Sequence, residues 1–578
     1  MPRRVATTYI LLAAIIFAII TLLSSASAAD ATPPDFSQRE ISLIVHTAKP
    51  YGNIIDSIQS LGGTVTVRYE NADAVAARIP VANVPRLLAL RGVVRVQKDR
   101  IIQLPGLLED HMAARALKLP ASQILDPAAT ASKIGEVPES YFSYLTTITG
   151  AKDIWPETGA GANSIVAVID TGTDAGHPCL SGRDGQGLPA SRVIAGPDLS
   201  TDAGTPFEGS TLVSNASHGT FVAGLIASRC FIVLDRAIDS DAALIEIFEA
   251  HLPEDAFYTS GRLVMMPLVG IAPSSSIYAV KVFPHAGGGA AQSIIEAALD
   301  HVITRKKLAN SGAPGGLDID VVNMSLGGAA LYDGNTLEEQ LVDAATEAGM
   351  LVVVAAGNDG PAPVSVSTPG TAFSALTAGA ASDHVHSRIF WDLFFGPGQG
   401  LAMYPDEEIR PADFSGRGPL GDNRPSPDVL ANGVFNLSLQ PGGGTGFGSG
   451  TSFSAPVVAG GAALLSVWAK ANDPAAGVEG IRRAIISGAT PLSPDFSRQE
   501  QGSGFLNVAA ALDRLKEGVT GATPAPFVPS AVQPNIQFQD GVFTSTFFSL
   551  APSRGVDFIF EILPATTIVT VAVNNVTI

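Results

Sequence analysis

Residues 165–170 read IVAVID, five consecutive apolar side chains closed by an aspartate. A strand with one wet face alternates apolar and polar residues, whereas an unbroken apolar run must be covered on both faces. Three further runs of this kind follow: SIYAVKVF (276–283), DIDVVNMS (318–325) and MLVVVAAGN (350–358). Helical stretches lie between them, at Gly219 to Ser228, Ala291 to Leu308 and Leu337 to Ala348. Strand then helix, repeated, predicts right-handed crossovers and an α/β fold built on a doubly wound parallel sheet. Ligands of such sheets bind outside the carboxyl ends of the strands, which is where Asp170 stands.

Outward from this block, residues 41–99 have a different rhythm. Ile41 to Thr47 is an apolar strand, Tyr51 to Leu61 is helical, and Gly62-Gly63 turns into the alternating run Thr64 to Glu70. Ala74 to Ile79 is a third strand, Asn83 to Leu90 a short helix, and Val93 to Gln97 a fourth strand. The order β-α-β-β-α-β is that of a small ferredoxin-like α+β module. Residues 100–140 lose the periodicity and read as a connector. Residues 231–268 are acidic and read as a surface insertion, and a proline-rich linker at 519–534 precedes a β-rich C-terminal segment.

The full chain of 578 residues is 46% hydrophobic and 15% charged, which implies two or three folded domains. Its net charge of −19 excludes a nucleic-acid footprint, which needs basic patches. Arg3 and Arg4, the apolar run Tyr9 to Leu23 and the small-residue end Ala26-Ser27-Ala28 read as an export signal cleaved near Ala29. Left uncleaved, the same segment would be a membrane anchor. Two cysteines permit one disulfide at most.

Asp170 at a strand end, His218 opening SHGTFVAGLIAS and Asn358 closing VVVAAGN would each pass alone as a turn or cap residue. Together with Ser452, which heads the apolar helix of GTSFSAPVVAGGAALL, they compose one chemistry. A serine hydroxyl needs a base, histidine is that base near neutrality, and an aspartate fixes its tautomer. Charge developing on a carbonyl oxygen then needs donors, which the Asn358 amide and the Ser452 N–H would supply.

The blocks VAVIDTGTDAGHP, SHGTFVAGLIAS, VGIAPSSSIYAVKV, VVNMSLGG, VVVAAGNDG, FSGRGP and GTSFSAPVVAGGAALL resemble, in this order, the motifs of subtilisin-like serine proteases. The resemblance implies a catalytic domain over 140–515 with Asp170, His218 and Ser452 as the triad and Asn358 in the oxyanion hole. It implies that Ser325, Leu326 and Gly327 form one substrate-holding edge and Ala355, Ala356 and Gly357 the other. These walls are uncharged, which points to an apolar side chain at the cleaved bond. The domain plan is a signal (1–28), an inhibitory propeptide (29–103), a connector (104–139), the catalytic domain with its insertion at 231–268, and a C-terminal segment (516–578). Lys98 to Gln103 would lie substrate-like near the cleft.

The expected protein is a secreted or cell-surface proenzyme that cleaves polypeptides, needs no metal or cofactor, and has its own propeptide as inhibitor. The rival is a catalytically silent surface binding protein or adhesin. Three departures from the family stand out. Phe221 replaces a second histidine, Asn432 replaces a loop proline, and GHPCL puts Cys179 where a calcium-binding aspartate is usual. A hard cation suits sulfur badly, so a Cys179–Cys230 disulfide is expected in the ion's place. Asn215, Asn323, Asn436 and Asn575 occupy glycosylation sequons.

Overall fold

The computed structural model describes residues 39–103, 123–134, 141, 143–183, 189–202, 204–208, 218–284, 288–330, 334 and 336–518. The export signal, most of the connector, the C-terminal β-rich segment, Asn215 and Asn575 lie outside the described residues. The chain divides into two compact units, the first holding residues up to Arg68 and Asp73–Asp99, the second Tyr69–Ala72 and the residues from Arg100 onward.

The first unit comprises β1 (Glu40–Thr47), α1 (Gly52–Ser60), β2 (Thr64–Arg68), β3 (Ala74–Pro80), α2 (Val84–Leu88) and β4 (Val93–Lys98). Its antiparallel sheet has the order β2-β3-β1-β4, the split βαβ arrangement that the sequence pattern predicts. Ile54, Ile55 and Ile58 fall on one face of α1 and pack with Val45, Val75 and Ile79 of the sheet. Spacing at i, i+1 and i+4 keeps these three on one stripe.

The second unit opens with β5 (Ile101–Ile102) and β6 (Ile124–Leu125), then β7 (Ile165–Asp170), β8 (Val193–Asp198) and α3 (His218–Ala227). Next come β9 (Arg229–Asp235), α4 (Asp239–His251), β10 (Tyr258–Ser260), β11 (Leu263–Val269), β12 (Ser276–Lys281), β13 (Ala290–Ala291) and α5 (Gln292–Asn310). The remainder is β14 (Val321–Met324), α6 (Leu337–Glu347), β15 (Leu351–Ala355), β16 (Leu376–Ser382), β17 (Arg410–Pro411), β18 (Val429–Asn432) and α7 (Thr451–Asn472), with further helices and short strands around them. The main sheet runs β8-β12-β7-β14-β15-β16, with β17 and β18 both on β16, and every pairing except β16–β17 is parallel. The chain winds outward from β7 to one side, returns, and continues on the other. Asp170, at the carboxyl end of β7, therefore stands where the winding reverses.

Helix α7 is apolar and long enough to cross a membrane, yet Ser452 to Ser466 are all buried and it serves as the central core helix. The insertion departs from the expected surface excursion. Strands β10-β11-β9-β6 form a second, antiparallel sheet whose Phe231, Val233 and Met265 are buried with Tyr141. Acidic neighbours had disguised the apolar run FIVL within it. Asn432 ends strand β18 rather than sitting in a loop, and its amide bonds the Asn436 side chain at 2.8 Å. Asn323 and Asn436 are fully buried, so neither sequon is open to a glycan in the folded chain.

Candidate active site

Asp170 is fully buried at the end of β7, and its Oδ1 accepts the N–H of Thr171 at 2.7 Å. His218 begins α3, and its Nδ1 lies 2.9 Å from both Asp170 carboxylate oxygens. Since a carboxylate only accepts, Nδ1 carries the proton and Nε2 is left as the basic nitrogen. Nε2 is buried and has no hydrogen-bond partner among the described residues. The Phe453 ring packs beside the imidazole, 5.3 Å between centroids, and Phe221 packs on Phe453 in a tilted pair at 4.3 Å. The family's second histidine is thus replaced by part of an aromatic wall.

The His218 helix can approach the Asp170 loop this closely because of one missing side chain. A Cβ on Gly219 would fall 2.0 Å from the carbonyl oxygen of Gly172. The same junction is tied by Glu208, which is 4% exposed. Glu208 accepts the hydroxyls of Thr171 and Thr220, and the Thr220 N–H at 3.2 Å. Those hydroxyls in turn accept the N–H of Gly219 and of Asp174, each at 2.8 Å. Burial pushes the Glu208 carboxyl up to about 8 against the pull of the two threonines, and the charge of Asp170 adds to the rise. No sequence motif marks Glu208, since its role depends on partners at positions 171 and 220.

Ser452 is the second residue of α7, where backbone N–H groups have no intrahelical acceptor. Its Oγ donates to the Ser325 carbonyl at 3.2 Å, not to His218. Pro456 lies inside α7, beyond its first turn. Lacking an N–H, it cannot bond the carbonyl four residues back, that of Ser452. Ser325 Oγ fills the gap at 2.7 Å and is itself held by Asn323 Nδ2 at 3.0 Å.

The Asn358 Oδ1 accepts both the N–H and the hydroxyl of Thr451 at 2.9 Å, which turns its Nδ2 outward. A Cβ on Gly450 would lie 3.4 Å from Asn358 Nδ2 and 3.8 Å from Ser452 N. Two donors without acceptors among the described residues thus flank one point, and any side chain at 450 would crowd it. The backbone there has φ +152°.

The two expected substrate edges fare differently. The backbone groups of Leu326 and Gly327 have no hydrogen-bond partner among the described residues. Those of Ala356 and Gly357 are spent: Ala356 bonds Ala378 and Ser367, and Gly357 bonds Thr451 and Gly416. Saturated backbone cannot take an added strand, so Ala356 and Gly357 have no free backbone groups with which to hold one. A different strand, β13, which the sequence reading missed, does carry an added strand. Ala290 and Ala291 pair antiparallel with Ile102 and Ile101. Its signal, GGGAA before a helix, is too short and too small to read as a strand.

Cys179 and Cys230 are bonded, with Cα atoms 4.8 Å apart and both residues fully buried. The bridge joins the segment after Asp170 to β9, directly after the His218 helix.

With this geometry in place, comparison with known proteins is informative. The subtilase family model matches residues 161–504, more than half of the chain. The chain belongs to the subtilase family, the subtilisin-like serine proteases. It is 36% identical to pyrolysin of Pyrococcus furiosus over 267 residues, 44% of this chain but only 18% of pyrolysin. It is 28% identical to subtilisin E of Bacillus subtilis over 462 residues, covering 79% of this chain and 85% of that one. Among solved structures, fervidolysin from Fervidobacterium pennivorans, a keratinolytic enzyme, superposes with a TM-score of 0.53 at 20% identity. That match covers 82% of this chain and 61% of fervidolysin, and it supports the fold.

Proposed function

We propose that the protein is a secreted endopeptidase that cleaves polypeptides through an acyl-enzyme on Ser452 and is made as an autoinhibited proenzyme. The observation that carries this reading is the state of His218: Nδ1 is held by buried Asp170 at 2.9 Å, while Nε2 faces no partner. An imidazole so arranged is a general base lacking only its proton donor. Rotation of the Ser452 hydroxyl away from the Ser325 carbonyl would supply it.

In the first step Ser452 Oγ attacks the scissile carbonyl and His218 Nε2 takes its proton. Asp170 stabilises the imidazolium without itself being protonated. The tetrahedral oxyanion is met by Asn358 Nδ2 and the Ser452 N–H, both preorganised before charge develops. His218 then gives its proton to the leaving amine, and water attacks the acyl-enzyme by the same route in reverse. The substrate backbone would lie as a strand between β13 and Leu326–Gly327, a mode that tolerates many sequences.

Autoinhibition is supported by the segment Ile101–Ile102, which already occupies β13 as an added strand. The 39–99 module is proposed as the propeptide, the N-terminal apolar segment as its export signal, and Asp170, His218, Ser452 and Asn358 as the reacting set. The test is casein hydrolysis and N-terminal sequencing of secreted chain beside Ser452→Ala. The parent should hydrolyse casein and lose its N-terminal module, and the Ala form should do neither. Equal hydrolysis by both would contradict the assignment.

A further inference from the structure

Glu338 is the second residue of α6 and is 1% exposed, yet neither of its carboxylate oxygens has a hydrogen-bond partner among the described residues. Capping does not explain it, because the adjacent Glu339 performs that task. Glu339 bonds the Thr336 N–H at 2.7 Å and its hydroxyl at 2.8 Å, and also the Thr371 hydroxyl. A buried carboxylate without donors is costly to ionise. Burial, and then the charge of Glu339, push Glu338 up to about 8, while the Arg100 guanidinium pulls it down.

Arg100 is the clue to what Glu338 awaits. It directly precedes β5, the strand lying on the β13 edge, and its carbonyl accepts the Gln292 N–H at 2.8 Å. Its Nη1 donates to the Ala329 carbonyl at 3.0 Å and its Nε to Gln292 Oε1 at 3.3 Å. Two positions further on, Ile102 packs on the same loop, since a Cβ on Gly328 would meet Ile102 Cδ1 at 2.9 Å. The strand on β13 thus runs beside the Gly328–Ala329 loop that leads into α6. The cation it carries there has committed donors to a carbonyl and an amide, and it makes no hydrogen bond to Glu338.

We infer that Glu338 is a specificity-determining residue that receives a lysine or arginine side chain of the substrate, carried on the stretch of strand upstream of the scissile bond that Arg100–Ile102 occupies here. An arginine suits it best, because a planar fork can satisfy both carboxylate oxygens at once. A lysine satisfies them as a point charge with three donors. The inference rests on the proteolytic reading above, and it adds that upstream selection is ionic although the walls beside the cleaved bond are uncharged.

The test is a set of fluorogenic peptides with one scissile bond, in which a single arginine is moved from the third to the sixth residue upstream, each paired with glutamine and citrulline counterparts. The processed enzyme should prefer arginine over both neutral side chains by about tenfold or more in kcat/KM at one of these positions, a differential binding effect of the size expected for a charge-assisted pair. In Glu338→Gln and Glu338→Leu that ratio should fall to about twofold or less. Folding of each variant is checked by thermal melting, and the citrulline comparison tests the need for charge in the parent alone. An arginine ratio near one in the parent, or a ratio that both variants retain, overturns the inference. Failure of the parent to cleave any peptide or casein would instead overturn the proteolytic reading, so the two failures are separable.

Discussion

Glu208 and Glu338 are buried to nearly the same degree, and burial pushes both carboxyls up to about 8. Their surroundings are opposite. Glu208 collects two hydroxyls and an N–H and bridges the loop after Asp170 to the helix that starts with His218. Glu338 collects nothing. A raised pKa alone therefore does not tell a finished structural tie from a group waiting for a ligand. The partner count does, because an unsatisfied buried acceptor is the costly case.

The largest expected effect of breaking this contrast is at Glu208. Glu208→Leu strands two hydroxyls and a backbone N–H in the interior and should cost about 2–5 kcal/mol of stability. The same change frees the His218 helix from the Asp170 loop, and a displacement of about 1 Å there should lower kcat/KM about 100-fold. Urea unfolding and peptide hydrolysis measure the two effects. A variant with parental stability and activity would show that the bridge positions nothing.

The disulfide sharpens the comparison, because it ties the same helix from its other end without touching His218. Replacing Cys179 and Cys230 together by alanine should cost about 2–4 kcal/mol, chiefly through a freer unfolded chain. Activity below the melting temperature should stay within about threefold of the parent, the outcome expected for a tie remote from the reacting groups. A loss of activity as large as that of Glu208→Leu would place the bridge among the positioning elements.

The smallest expected effect is a gain. Folding raises the Glu338 pKa from its ordinary 4.5 to about 8, so the folded state favours the protonated form. The contribution of that group is fully present below about pH 4.5 and is lost as pH rises toward 8. Glu338→Leu removes the ionisable group and should stabilise the full chain by about 1–3 kcal/mol at pH 9, with a smaller gain at pH 4. Melting curves of parent and variant at both pH values test this. A destabilised variant at pH 9 would mean that the carboxylate has a donor in solution.

Much of the fold was legible because apolar runs bounded by turns leave few alternatives. IVAVID, SIYAVKVF and the first module's alternation yielded their elements nearly residue for residue. Strands β8 and β16 escaped notice because VIAGPD contains Gly-Pro and LTAGAAS is made mostly of small residues, so neither shows β-branched runs. The second sheet was hidden by its acidic neighbours. At the site, the proposed reacting set could be named from sequence because such chemistry demands fixed residue types in a fixed order. Glu208, Glu338 and the β13 edge were not, since burial and unspent backbone groups are properties of the folded chain. The bonds of Ala356 and Gly357 are hidden for the same reason: small residues after an apolar strand look like an open edge until their bonds are traced.

The central claim is that Ser452 is a nucleophile activated by His218. Its most direct test is labelling with a fluorophosphonate, followed by peptide mapping, of parent and variants from which an added protease has removed the N-terminal module alike. One adduct per chain is expected, on Ser452, lost in Ser452→Ala and strongly slowed in His218→Ala. An unlabelled parent, an adduct on another residue, or a rate unchanged by removal of His218 would contradict it.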